Sequence, residues 1–487
     1  MSPAEPGTRK GLALALLASA QFIVVLDASI VNVALPSIGR DLQFSQENLS
    51  WVINAYTLAF GGFLLLGGRM ADLLGRRRLF MAGLGLFAFA SLLGGLSQSE
   101  GQLIAARALQ GLGGAILSPA ALSIVTTMFT EGAERNRAFG VWGAVAGSGG
   151  AVGVLLGGIL TDQLGWEWVL FVNVPIGLLV AALAPRLLPE SREAGPRQYD
   201  VAGALSITVG ITILVYALVD AVNEGWGSTQ TLGLIAISLV LIAGFVAIER
   251  RARFPLVNFQ IFRLRTLTGA NVVAVLVAMS LFSMFFFVSL YMQQVLGYGP
   301  LKAGVAYLPL AFGIIVSAGI ASQLVTRFGF KPILVTGFVL VAIGLFWFAQ
   351  VSPGGTYVGD VLFPSLVAAV GLGFAFVPLT IAAVTGVTAS EAGLASGLIN
   401  TSQQVGGALG LAILATIANS RTKELMTASP GDPRVALTEG FQDAFLVGTG
   451  FAIVGAILAM ILISSRESRE HAEAARRGDV DIVPVPA

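Results

Sequence analysis

Two charged residues sit where charge is costly. Asp27 stands in the apolar run Leu26-Asp27-Ala28-Ser29-Ile30-Val31-Asn32-Val33-Ala34-Leu35-Pro36, and Arg107 opens Arg107-Ala108-Leu109-Gln110-Gly111-Leu112-Gly113-Gly114. An ionisable side chain within a membrane span costs about 2.5–3.5 kcal/mol on insertion scales, so it usually faces the bundle interior and has a role. A low dielectric disfavours the ionised carboxyl, which equips Asp27 to take up and release a proton near neutrality. Arginine keeps its charge there and, by its distance, holds or releases the carboxylate. The chemistry on offer is reversible protonation tied to helix movement. The alternatives are a structural hydrogen bond for Asp27 and a static ion pair with Arg107. Asp27 lies nine residues before Pro36, about 13 Å below the outer end of its helix, and Arg107 lies six residues past Gly101, about 9 Å below the same surface. The depths match well enough for a pair.

A second cluster is Gly67-Gly68-Arg69-Met70-Ala71-Asp72-Leu73-Leu74-Gly75-Arg76-Arg77-Arg78, read as a short basic loop between two apolar runs. Positive charge beside a span is retained on the cytoplasmic side, so the arginines fix orientation. Asp72 is placed to hold a guanidinium or to cap the next helix. Gly68 and Gly75 permit turns and close helix approach. A third feature is Gly149, Gly153 and Gly157 at i, i+4 and i+8, with Gly143 and Gly147 one turn apart further in. Such spacing gives a smooth stripe along which another helix packs or slides.

These residues need a membrane bundle to position them. The 487-residue chain is 55% hydrophobic and 11% charged, with mean hydropathy +0.84, whereas soluble domains carry roughly 25% charged residues. Apolar windows recur at 11–35, 49–67, 79–98, 102–127, 138–160, 168–187, 201–221, 231–248, 269–291, 301–325, 332–350, 359–386, 394–419 and 442–464. Fourteen spans with both termini inside put 22 Lys and Arg in cytoplasmic segments and 5 in outer ones, as the positive-inside rule requires. The first window is too long for a secretion signal and is read as a retained span. The segment 326–331 echoes 72–77, and 395–410 echoes 138–153, so two six-span halves with two inserted spans are expected, as in secondary transporters. The expected organisation is a cytoplasmic tail 1–10, an N-terminal half 11–188, a linker with two extra spans 189–268, a C-terminal half 269–465 and a tail 466–487. That tail reads as disordered, with His471, the one histidine, solvated. There is no cysteine.

Several motifs together give a family resemblance. Gly68, Asp72, Gly75, Arg76, Arg77 and Arg78 resemble the G-x-x-x-D-x-x-G-R-[RK]-[RK] signature between helices 2 and 3 of the major facilitator superfamily. Residues 26–36 resemble its L-D-x-[ST]-I-V-N-V-A-L-P segment. Trp166-Glu167-Trp168 through Asn173-Val174-Pro175-Ile176-Gly177 resemble W-R-W-x-F-x-x-N-x-P-I-G, with Glu167 in place of arginine. Gly153, Gly157 and Gly158 resemble the antiporter signature G-P-x-x-G-G, with Val154 in place of its proline. Fourteen spans make the drug:proton antiporters of the EmrB/QacA type the nearest group. The resemblance implies an all-α major facilitator fold working by alternating access, with residues 68–78 as a latch favouring the outward-facing state. It further implies a cavity lined by spans 1, 4, 9 and 12 beside 2, 5, 10 and 13. Candidate substrate contacts there are Asn32, Asn54, Gln110, Trp142, Asn400, Gln403 and, at i, i+3, i+4 in span 9, Phe282, Phe285 and Phe286.

The expected function is proton-coupled efflux of amphipathic small molecules or drugs from the cytoplasmic (inner) membrane, by a monomer in the lipid bilayer. An exporter of lipid or of one dedicated metabolite is the alternative. No cofactor beyond the coupling proton is expected, no metal, and neither ATP nor nucleic acid as partner: the chain has no G-x-x-x-x-G-K-[ST]. A membrane enzyme lacks its nucleophile–base or metal cluster, and a channel its filter.

Overall fold

Backbone polar groups in hydrocarbon find no water, so apolar runs of this length must close their hydrogen bonds within helices. A computed structural model describes residues 6–44, 49, 51–191, 200–252, 255–428 and 432–477. Its long helices are α1 (Pro6–Asp41), α2 (Trp51–Leu74), α3 (Arg76–Gly95), α4 (Glu100–Met128) and α5 (Ala133–Gln163). They continue with α6 (Trp168–Leu187), α7 (Val201–Glu224), α8 (Thr229–Glu249), α9 (Arg265–Val295) and α10 (Leu301–Phe328). The last are α11 (Phe330–Phe348), α12 (Tyr357–Val384), α13 (Ala392–Ala428), α14 (Pro433–Leu462) and α15 (Ser465–Arg477).

Among the described residues, twelve of these helices are long and apolar enough to cross a bilayer, and α5 makes a thirteenth if its two arms count as one span. Helix α13 covers the window 394–419, but its run Asn400-Thr401-Ser402-Gln403-Gln404 makes it more polar than its neighbours. Helix α5 bends by 43° between Gly150 and Val152. Proline is absent there, and the run Gly147-Ser148-Gly149-Gly150 supplies the weak point instead.

The basic segment departs from the expected loop. Helix α2 runs on through Gly67 to Leu74, and Gly75, at φ +113°, alone separates it from α3. Gly329, at φ +86°, divides α10 from α11 in the same way. The contacts follow this repeat. Asp72 on α2 meets Gly393 at the start of α13, while Thr326 on α10 accepts from Asn136 at the start of α5, 3.0 Å away. The weak sequence echo is therefore a repeated pair of helix–helix contacts.

The tail is a second correction. Residues 465–477 form helix α15, which packs on α10 and α11, and His471 is 8% exposed. Its Nε2 lies 3.1 Å from Asn136 Oδ1 and its ring meets Phe330 edge-on. Lys331 N donates to Ser468 Oγ, and Lys331 Nζ to Ser465 Oγ. Ser468, His471, Ala472 and Ala475 lie three or four residues apart and form the buried face. Lys10 pairs with Glu134 at 2.8 Å, so both described ends of the chain lie at one end of the bundle, here called the basic end.

Candidate functional site

Helices α1 and α4 bring Asp27 and Arg107 together, as their matching depths allowed. Asp27 is fully buried and Arg107 is 1% exposed. Arg107 NH1 donates to Asp27 Oδ2 at 2.5 Å. Gln110 Nε2 and Asn173 Nδ2 donate to Asp27 Oδ1 at 2.7 and 2.9 Å. Arg107 also donates to Val52 O and to Gln110 Oε1, and its guanidinium lies 4.4 Å from the centre of the Tyr56 ring. Gln110 reaches Ser91 Oγ as well, at 2.7 Å. Two helices, α4 and α6, thus hold the carboxylate of α1, and α2 and α3 hold Arg107 and Gln110 in turn.

The chemistry follows from this inventory. A carboxylate accepting from three donors is satisfied as an anion, with its desolvation offset by the guanidinium and two amides. Arg107 keeps Val52 O, Gln110 Oε1 and the Tyr56 face as partners, so its release is less costly than stranding a bare cation.

Sequence reasoning missed Ser91 and Tyr56, and quoted Asn173 as a motif residue without linking it to Asp27. It placed Gln110 in the substrate cavity, whereas the fully buried amide belongs to the Asp27 network.

The glycine stripe packs against the helix that carries Asp27. A Cβ at Gly149 would come within 2.8 Å of Val25 Cγ1, one at Gly153 would collide with Ser29 Oγ, and one at Gly157 would reach Ile30 O at 2.7 Å. Gly158 is buried beside them. These are the turns of α1 that carry Asp27. Gly143 and Gly147 face Val377 on α12 and Ile314 on α10 instead. Gly153→Leu should therefore stop transport with the protein still inserted and monodisperse, since overpacking typically costs about 1–3 kcal/mol, which a large bundle survives. Uptake into proteoliposomes beside gel filtration checks this; normal uptake would show that α1 does not move along α5.

The arginines of the basic end differ in role. Asp72 is fully buried and accepts from Arg76 NH2 at 2.5 Å and from Gly393 N and Leu394 N at 3.0 Å each. It caps the positive N-terminus of α13, a helix more than three hundred residues away in sequence rather than the next one. Gly68 makes room, because a Cβ there would strike Gly393 O. Arg76 is buried and also bonds Ser123 Oγ, while Arg77 reaches Leu188 O at 3.1 Å and Glu190 at 3.7 Å. Arg78 is largely exposed.

The burial of His471 predicts that this end responds to pH. Burial pushes its imidazole below the ordinary value of about 6.5, with Arg135 acting the same way and Glu131 opposing. The undocked tail binds the proton more readily, so docking is fully favourable above that value and weakens as pH falls below it. Hydrogen exchange of residues 465–477 should rise several-fold between pH 8 and pH 5.5 after correction for intrinsic rates. His471→Gln should remove that pH dependence; a wild-type tail equally protected at both values would contradict the assignment.

Other expected cavity residues are scattered. Asn32 and Asn400 bond carbonyls of their own helices, Asn54 and Gln403 are half-buried, and Trp142 is buried. Phe285 stacks on Tyr307 and Phe286 is exposed, while the Phe282 side chain lies outside the described residues. Among the described residues no group of acids and histidines could hold a metal.

An apolar helical bundle with a buried charge pair and one end closed by contacts between distant helices is an architecture that suits a membrane transporter. The chain belongs to the major facilitator superfamily, whose family model matches residues 17–411. It is 41% identical over 469 residues to the puromycin resistance protein pur8 of Streptomyces alboniger, covering 95% of this chain and 93% of that protein. It is 40% identical to the cephamycin export protein CmcT of Amycolatopsis lactamdurans, over 92% of each. In fold it is similar to the proton:xylose symporter XylE, with a TM-score of 0.66 at 14% identity over 95% of this chain and 98% of that one.

Proposed function

We propose that this protein is a proton-coupled exporter of amphipathic small molecules such as drugs or antibiotics, working by alternating access. It would cross the inner membrane fourteen times as a monomer, with two six-helix halves flanking α7 and α8 and the basic end in the cytoplasm. The observation that carries the reading is the buried Asp27–Arg107 pair, set in a network drawn from five helices, on a helix whose other side packs against the α5 glycines. Asp27 would carry the proton and Arg107 would sense its arrival. Gly68, Asp72, Gly75, Arg76 and Arg77 would close the cytoplasmic face while the cavity opens outward. The export and resistance roles named for pur8 and CmcT support the direction of transport.

A dedicated antibiotic exporter is the second reading, favoured because each of those relatives is named for one compound. Uptake of a compound panel into inside-out proteoliposomes, with and without an imposed pH gradient, separates the two. Several unrelated amphipathic substrates support the broad reading and a single one the narrow reading. Accumulation indifferent to the gradient would refute proton coupling.

A further inference from the structure

Helices α7 and α8 form a hairpin whose tip, at the far end from the basic one, is tightly built. Gly225, at φ +90°, ends α7, and Ser228 caps α8 by accepting from Thr231 N at 3.1 Å. Gln230 Nε2 donates to Asp220 Oδ2 across the turn, 2.8 Å away. Trp226 and Gly227 alone lie between the two caps, so the indole has little freedom of position.

This hairpin lies across the seam between α2 and α13, with α7 packed on both helices. Towards the basic end the seam is direct: a Cβ at Gly68 would strike Gly393 O, and one at Gly397 would lie 3.1 Å from Leu64 O. Three helices meet at Gly61, where a Cβ would come within 2.9 Å of Gln404 Cγ on α13 and 3.7 Å of Val215 Cγ2 on α7. Nearer the far end the hairpin bridges the seam. Trp51 of α2 stacks on Tyr216 of α7 with ring centres 5.9 Å apart, and Trp226 Nε1 donates to Thr416 Oγ1 of α13 at 2.9 Å. The Thr416 hydroxyl is itself fixed, donating to Ala412 O at 2.8 Å.

The two anchorages differ in kind. On α2, Thr212 occupies the space of the missing side chain at Gly62, where a Cβ would collide with its Oγ1, and the Trp51–Tyr216 stack adds to that fit. A glycine contact of this sort brings two helices to backbone distance over a broad face. The tip is tied to α13 by a hydrogen bond between side chains. Alternating access requires α2 and α13 to change their spacing at the far end, so the weaker tie is the one that yields. We infer that α7 and α8 travel with α2, and that Trp226–Thr416 is a latch of the far end, made while that end is closed and broken when it opens. It is the opposite number of the Asp72 contact at the basic end, and it gives the two inserted spans a mechanical role. The inference rests on the alternating-access reading and not on proton coupling.

The chain has no cysteine, so Trp226→Cys and Thr416→Cys can be combined, joined by a short bifunctional methanethiosulfonate and released again with dithiothreitol. Joining should cut proteoliposome transport of a substrate from the compound panel at least fivefold, and release should restore it. In parallel, spin labels at Arg40 and Asn419, exposed residues near the far ends of α1 and α13, should report a short and a long population. Trp226→Phe keeps an aromatic ring and removes the donor, and should raise the long-to-short ratio about fivefold, the scale of one neutral hydrogen bond. Full transport by the joined protein, or a ratio unmoved by Trp226→Phe, would overturn the latch while leaving alternating access intact. A single far-end distance in wild type under every substrate and pH condition would overturn alternating access itself, and the latch with it.

Discussion

Asp27→Asn should reduce pH-gradient-driven accumulation to the passive level, a loss of at least tenfold, while leaving substrate exchange at zero gradient measurable. Asparagine keeps an acceptor for Gln110 or Asn173 but has no proton to give up, so the site is fixed in a neutral form. Arg107 then lacks its counter-charge and must rely on Val52 O, Gln110 Oε1 and Tyr56. Removing one member of a buried pair typically costs about 3–5 kcal/mol, and those residual partners should hold the loss of thermal stability below that range. Paired counterflow and gradient-driven uptake check the prediction. A mutant that still concentrates substrate from a pH gradient would move coupling elsewhere.

Asp72→Asn should open the basic end. The substitution removes the charge shared with Arg76 and weakens the cap on α13, while Gly68 and Gly393 still pack. Losing about 2 kcal/mol of charge-assisted bonding shifts the closed-to-open ratio roughly 30-fold. Distances between spin labels at the basic ends of α5 and α10 should move from one short population to a mixture with a longer one. An unchanged distribution would leave the arginines with orientation as their sole role. Thr326 and Asn136 form the repeated counterpart of this contact, reinforced by His471, so a double change at Asp72 and Asn136 should open the end further.

Much of this was legible because charge in an apolar run is conspicuous. Asp27, Arg107 and the 68–78 cluster stood out, and counting residues along two helices matched the depths of the pair. Ser91 and Tyr56 did not stand out, and Asn173 did so only within a family motif, because neutral polar side chains in spans commonly bond their own helix, as Asn32 and Asn400 do. Polarity also misled. Arg69 to Asp72 read as a loop, yet the helix persists, with Asp72 satisfied by the backbone of a distant helix. The tail read as disordered by composition, although the spacing of Ser468, His471, Ala472 and Ala475 already described a helix with one small, buriable face.

The most direct measurement of the central claim is proton movement itself. Proteoliposomes holding a pH-sensitive dye, with no imposed gradient, would receive a substrate identified in the compound panel. Substrate movement should drive protons the opposite way in wild type, and the signal should vanish in Asp27→Asn. Substrate flux with no proton flux, or protons travelling with the substrate, would contradict antiport through Asp27.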